Sequence, residues 1–93
     1  MIIVSCTADM FFPESSSLKT KRHLLKSLTT SIRNKFNISV AETDGNDLWQ
    51  RSLVGFAVVA NETNYANEFL SKMIRDIERE TQVELLDYNF EVR

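Results

Sequence analysis

The stretch Leu53–Ala60 constrains the fold of this chain more than any other. Along it Leu53, Gly55, Ala57 and Val59 alternate with Val54, Phe56 and Val58, so an extended backbone here is apolar on both faces. A strand of that kind belongs in the middle of a sheet, covered on both sides. The small Gly55 and Ala57 suggest the face that a helix approaches closely. That assignment leaves Val54, Phe56 and Val58 on an open face, together with Ile3 and with Phe90 or Tyr88.

Other segments supply the partners this strand needs. Met1–Phe12 alternates, with Ile2, Val4, Cys6, Ala8, Met10 and Phe12 on one side and Ser5, Thr7 and Asp9 on the other. Period two with one apolar side reads as a half-buried strand. Pro13, which has no N–H to give a ladder, closes it. Ser15-Ser16-Ser17 then offers hydroxyls for a helix N-cap, Ser17 being best placed, and the helix runs to about Phe36. At 100° per residue Leu18, Leu25, Leu28, Ile32 and Phe36 share an arc of about 80°, which is the stripe to be buried. Asn37–Thr43 reads as a second strand with Ile38 and Val40 inward, and Asp44-Gly45-Asn46-Asp47 as a turn. After the doubly apolar strand, Asn61 or Thr63 can cap a second helix through about Glu80. Its inner stripe is Ala66, Phe69, Leu70, Met73, Ile74 and Ile77. Gln82–Val92 is a last strand whose apolar phase switches between Leu85 and Leu86, the mark of a bulge or a displaced edge.

The order strand, helix, strand, strand, helix, strand, closed by right-handed crossovers, predicts an α+β fold. It is the ferredoxin-like split βαβ (βαββαβ), a four-stranded antiparallel sheet with both helices on one face. The expected strand order is 4-1-3-2, with Leu53–Ala60 central. Ninety-three residues make one such domain, 1–93, long enough for a two-layer core and too short for two cores.

Charge is distributed unevenly. The first helix carries Lys19, Lys21, Arg22, Lys26, Arg33 and Lys35, which is six of the chain's eleven cations, and none of its thirteen acids. Lys19, Arg22, Lys26 and Arg33 fall in an arc of about 60° on the outer flank. They cannot pair with one another, so they need solvent or an external anion. Lys21 falls beside the buried stripe instead, where it snorkels or pairs with Asp9 or Glu42. On the second helix Glu68, Lys72, Arg75, Asp76 and Arg79 mix both signs, with Glu68 and Lys72 at i,i+4. The net charge of −2 hides this contrast, yet a local field of one sign acts whatever the total. Aligned cations on a helix are a footprint of nucleic-acid binding, and equally what a solvated face shows.

Other chemistries find less support. Cys6 is the only cysteine, which excludes an intrachain disulfide and a cysteine-rich zinc site and suits a reducing compartment. Gly55-Phe56-Ala57 matches part of the third-strand signature of RNA-recognition motifs. Val54 replaces its cation, Val58 its second aromatic, and Ile3 the ring expected on the first strand, so sheet-face stacking is not expected. Glu42, Asp44 and Asp47 do not have calcium-loop spacing, because glycine stands second after Asp44 rather than sixth. His23, the one histidine, lies on the polar side of its helix without a nucleophile partner. Gly45 and Gly55 are the only glycines, too few for a phosphate loop. Trp49 reads either as an exposed anchor on a mobile loop or as a lid over the core. No catalytic residue, cofactor or metal site is expected. No apolar run approaches the ~18 residues of a membrane span. The N-terminus lacks a positively charged leader region, and the expectation is a cytoplasmic protein without a membrane partner.

Three blocks carry a resemblance: Ser17-Leu18-Lys19-x-Lys21-Arg22; Arg33-Asn34-x-Phe36-Asn37-x-Ser39-Val40-Ala41-Glu42; and Asp47-x-Trp49. In order and spacing they resemble the YlxP-like family of small bacterial proteins of unknown function, over nearly the whole chain. Val54-Gly55-Phe56-Ala57 departs only conservatively from that family's Leu-Gly-x-Ala tendency. The resemblance implies a ferredoxin-like fold. It also implies a setting in translation, since family genes commonly lie among those for translation initiation and ribosome maturation. It carries no catalytic residues. The expected function is therefore a non-enzymatic RNA- or ribosome-associated factor, with ribosomal RNA or a ribosomal subunit held by Lys19, Arg22, Lys26 and Arg33. The alternative is a homodimer or protein-binding module that uses Phe56 and Val58 on the open sheet face, or the Trp49 loop.

Overall fold

The alternating N-terminal segment forms the first strand, which ends at Phe11, and the buried Phe12 and then Pro13 follow it. The computed structural model describes Met1–Arg93. Its elements are β1 (Ile2–Phe11), α1 (Leu18–Lys35), β2 (Ser39–Asp44), β3 (Arg51–Ala60), α2 (Thr63–Glu78) and β4 (Glu84–Val92). The sheet order is β2-β3-β1-β4, every pair antiparallel, with β1 and β3 central. This is the α+β, ferredoxin-like arrangement that the element order predicts.

Each helix is held by its apolar stripe. On α1 Leu25, Leu28 and Ile32 are buried, with Leu18 and Phe36 half-buried at the two ends. Ser17 is the N-cap: the Thr20 N–H donates to its Oγ at 3.1 Å, satisfying one of the helix's orphan donors. On α2 Ala66, Leu70, Met73, Ile74 and Ile77 are buried and Phe69 is half-buried. The α2 N-cap is Glu62, without a side-chain cap bond, so neither Asn61 nor Thr63 takes that place. Asn61 comes one residue too early, and Thr63 is already helical. Phe36 and Phe69 meet edge to face at 5.2 Å and tie the end of α1 to α2.

The faces of β3 are the reverse of the expected ones. Cross-strand partners share a face, and the register sets Val58 against Val4, Phe56 against Cys6 and Val54 against Ala8. All six residues are in the core, with Phe56 only 1% and Val58 only 6% exposed. Phe56 and Val58 are therefore not on an open face and offer no contact to a partner. Leu53, Gly55, Ala57 and Val59 face outward instead, beside Ile3, Ser5, Thr7, Asp9 and Phe11 of β1. The close approach at Gly55 comes from a neighbouring strand rather than a helix. A Cβ there would lie 3.0 Å from Thr43 Cγ2 on β2.

The phase switch in the last strand is a bulge on an edge strand. Pairing runs Asp9 to Asp87, then Met10 to Leu85, leaving Leu86 unpaired and exposed. Tyr88 and Phe90 stand opposite Ala8 and Cys6, on the helix side of the sheet and not on the open face.

Candidate nucleic-acid interface

Lys21 is the one cation of α1 that turns inward, and its side chain is fully buried. Its Nζ donates to Glu42 Oε2 at 2.8 Å and to the carbonyl oxygens of Gly45 (2.9 Å), Asn46 (3.4 Å) and Arg51 (3.4 Å). Ser52 Oγ donates to the same Glu42 oxygen at 2.6 Å. Glu42, and not Asp9, is the carboxylate partner of Lys21. Asp9 instead takes Arg51 on the open face, at 2.7 Å. A buried lysine needs this many acceptors because desolvating its charge is expensive. In the Lys21, Glu42 and Ser52 trio the lysine and serine are buried, the glutamate is half-buried, and each is hydrogen-bonded within the group. The group clamps a loop.

The clamped loop joins β2 to β3. Gly45 has φ +77°, a left-handed conformation that suits glycine, and a Cβ there would stand 3.3 Å from the Arg51 carbonyl. The Gly45 N–H donates to Asp44 Oδ1 at 2.8 Å, and the Leu48 N–H to the Gly45 carbonyl at 3.0 Å. At the other end Gln50 Nε2 donates to the carbonyls of Pro13 (3.2 Å) and Ser15 (3.3 Å), and its own carbonyl accepts the Phe12 N–H at 2.8 Å. The loop is thus fastened to the segment that leads into α1. Between its fastenings Leu48 and Trp49 are 52% and 59% exposed. Trp49 is exposed and does not serve as a lid over the core.

Lys19, Arg22, Lys26 and Arg33 are all exposed along the α1 flank that borders β2. Lys19, Arg22 and Lys26 form no ion pair. Arg33 Nη2 donates to the Val40 carbonyl at 3.3 Å, which stitches the helix to the sheet's free edge and partly occupies that guanidinium. Lys35 turns to the other flank and meets Asp76 of α2 at 3.3 Å. On α2 the expected Glu68–Lys72 pair does not form. Asp76 takes Arg79 at 3.5 Å as well as Lys35, and Lys72 and Arg75 form no ion pair. The two helices therefore differ less in pairing than in composition: α1 has no acid, whereas α2 interleaves Glu68, Asp76 and Glu78 among its cations.

Burial pushes the Cys6 thiol up to about 11, so it is a neutral packing group at ordinary pH and not a nucleophile. No helix is long and apolar enough to cross a membrane. Two contributors escape the sequence patterns. Ser52 is a buried polar group in the inward phase of β3, visible only once that phase is known. Gln50 is an exposed residue whose amide holds two distant carbonyls.

Residues 3–90 match the family described as "Protein of unknown function (DUF503)". Over 71 residues, 76% of this chain and 77% of the relative, the sequence is 34% identical to the uncharacterized protein YlxP of Bacillus subtilis (strain 168). The family match runs from β1 into β4, and its residues include the Lys21 clamp, the loop it holds and the basic flank. With nearly the whole fold inside the matched residues, the chain belongs to the DUF503 family of proteins of unknown function.

Proposed function

We propose that this protein is a non-enzymatic RNA-binding factor that engages the phosphate backbone through the outer flank of α1. The observation that carries this reading is the row Lys19, Arg22 and Lys26: exposed, free of ion pairs, on a helix without a single acid. From Lys19 to Arg33 the row spans about 21 Å at ~1.5 Å per residue, room for several successive phosphates. Cations so placed displace condensed counterions, and that release is the main source of sequence-tolerant affinity. The translational setting implied by the YlxP-like resemblance makes ribosomal RNA or a ribosomal subunit the partner. A cytoplasmic location goes with that partner. The competing dimer through Phe56 and Val58 would require opening the core.

The test is equilibrium binding of single-stranded RNA across a salt series. The expected log–log slope is about −2 for three phosphate contacts, and about −3 if Arg33 leaves the Val40 carbonyl to make a fourth. Arg22→Glu with Lys26→Glu is expected to weaken binding more than about tenfold. Lys72→Glu with Arg75→Glu, on the mixed-charge helix, is expected to matter far less. A flat salt dependence, or equal losses from both helices, would reject the α1 flank as the binding face.

A further inference from the structure

We infer that Trp49 is a stacking platform for an unpaired base, so that the strand held by α1 is single-stranded at the loop end. This rests on the reading of α1 above and adds what kind of nucleic acid it takes. Three features converge. Trp49 is the only tryptophan, and it is 59% exposed on a loop that places the neighbouring Leu48 outward as well. An indole left in water without packing on the core gains most from a flat apolar partner, and every base has such a face. The loop is also fastened. Lys21 holds the carbonyls of Gly45, Asn46 and Arg51, and Gln50 holds those of Pro13 and Ser15. A platform held in place loses little freedom when a base lands on it.

The position fits the basic flank. Lys21 lies between Lys19 and Arg22 in the first turns of α1, so the loop it grips sits at the same end as those two cations. A backbone that follows Arg33, Lys26, Arg22 and Lys19 along the β2 border arrives at the loop, where a base can turn onto the indole. Asp44 and Asp47 stand in the same turn and disfavour a phosphate there. The Asp44 carboxylate is engaged by the Gly45 N–H. The loop therefore takes the base and the helix takes the phosphates. Duplex RNA, with its bases stacked inside, would bring only backbone to a turn that repels it.

The chain's single tryptophan reports on this directly. Wild-type protein is titrated with a short oligouridylate and with an abasic ribose-phosphate oligomer of the same length, following tryptophan emission and affinity together. The expectation is quenching by the oligouridylate and not by the abasic oligomer. Trp49→Ala should lose about tenfold in oligouridylate affinity with abasic affinity unchanged, and Trp49→Phe should recover part of the loss. If Trp49→Ala binds oligouridylate as the wild type does, the platform is rejected while the α1 reading stands. Loss of both oligomers by Arg22→Glu/Lys26→Glu, with the tryptophan variants silent, would likewise leave only the electrostatic part. If wild-type protein binds neither oligomer, both readings fall.

Discussion

The two helices lie side by side on the same face of the same sheet and are built differently. α2 buries only apolar residues: Ala66, Leu70, Met73, Ile74 and Ile77. α1 buries Leu25, Leu28 and Ile32 but also Lys21 and Thr29, and puts a cationic row on the flank beside them. Packing alone accounts for α2. On α1 Lys21 turns inward and holds the β2–β3 loop, Lys35 meets Asp76, Arg33 reaches the Val40 carbonyl, and Lys19, Arg22 and Lys26 stay outward and unpaired. Adjacent residues, Lys21 and Arg22, thus meet opposite fates because about 100° of helical rotation separates burial from solvent. The contrast teaches that a helix rich in one sign of charge is not a uniform surface, since its roles divide by angle.

The sharpest way to break this comparison is to remove the inward charge. Lys21→Met is expected to destabilise by about 3–5 kcal/mol in urea unfolding, since it leaves the half-buried Glu42 carboxylate with only Ser52 as a donor and strips the Gly45, Asn46 and Arg51 carbonyls of the Lys21 ammonium. Lys72→Met on the exposed side of α2 should leave the midpoint nearly unmoved. If Lys21→Met unfolds no more easily than Lys72→Met, the clamp contributes nothing and α1 is only a charged counterpart of α2.

A smaller effect separates the two helices by packing. Leu70→Ala is expected to cost about 3–4 kcal/mol, because Leu70 is wholly enclosed. Leu28→Ala should cost about 2–3 kcal/mol, nearer the lower end for such truncations. Leu28 is part of the wall of a cleft of about 140 Å³, shared with Phe12, Leu24 and Val83, so its truncation widens a space that already exists. The reverse order, read from the same denaturation curves, would show α1 to be the more tightly packed of the two.

The smallest difference lies at the helix starts. Ser17→Ala should cost about 1 kcal/mol, because it removes the acceptor for the Thr20 N–H. Glu62→Ser at the uncapped start of α2 should add about 0.5 kcal/mol, the hydroxyl's gain being partly offset by loss of a carboxylate near the helix N-terminus. A loss from the second change would mean that Glu62 already serves α2 through its charge.

How much of this was legible beforehand differs by region. Ser17 as a cap, the stripe of Leu25, Leu28 and Ile32, and the bulge between Leu85 and Leu86 are local patterns, and each appears where the sequence puts it. The cap of α2 was not legible. Asn61, Glu62 and Thr63 are three consecutive candidates, and boundaries of one residue depend on where packing lets the helix begin.

The sequence by itself determined the order of the elements, the centrality of Leu53–Ala60 and the segregation of cations onto one flank of α1. Those follow from periodicity and composition, which are properties of the chain. Tertiary structure alone decided which side of Leu53–Ala60 is buried. Period two is symmetric, so when both sides are apolar only the pairing of Phe56 with Cys6 and the space beneath the helices selects the phase. It also decided that Lys21 meets Glu42 and not Asp9, and that Trp49 stands in water. Those outcomes depend on distances between residues far apart in the chain, and no spacing along one strand or one helix contains them.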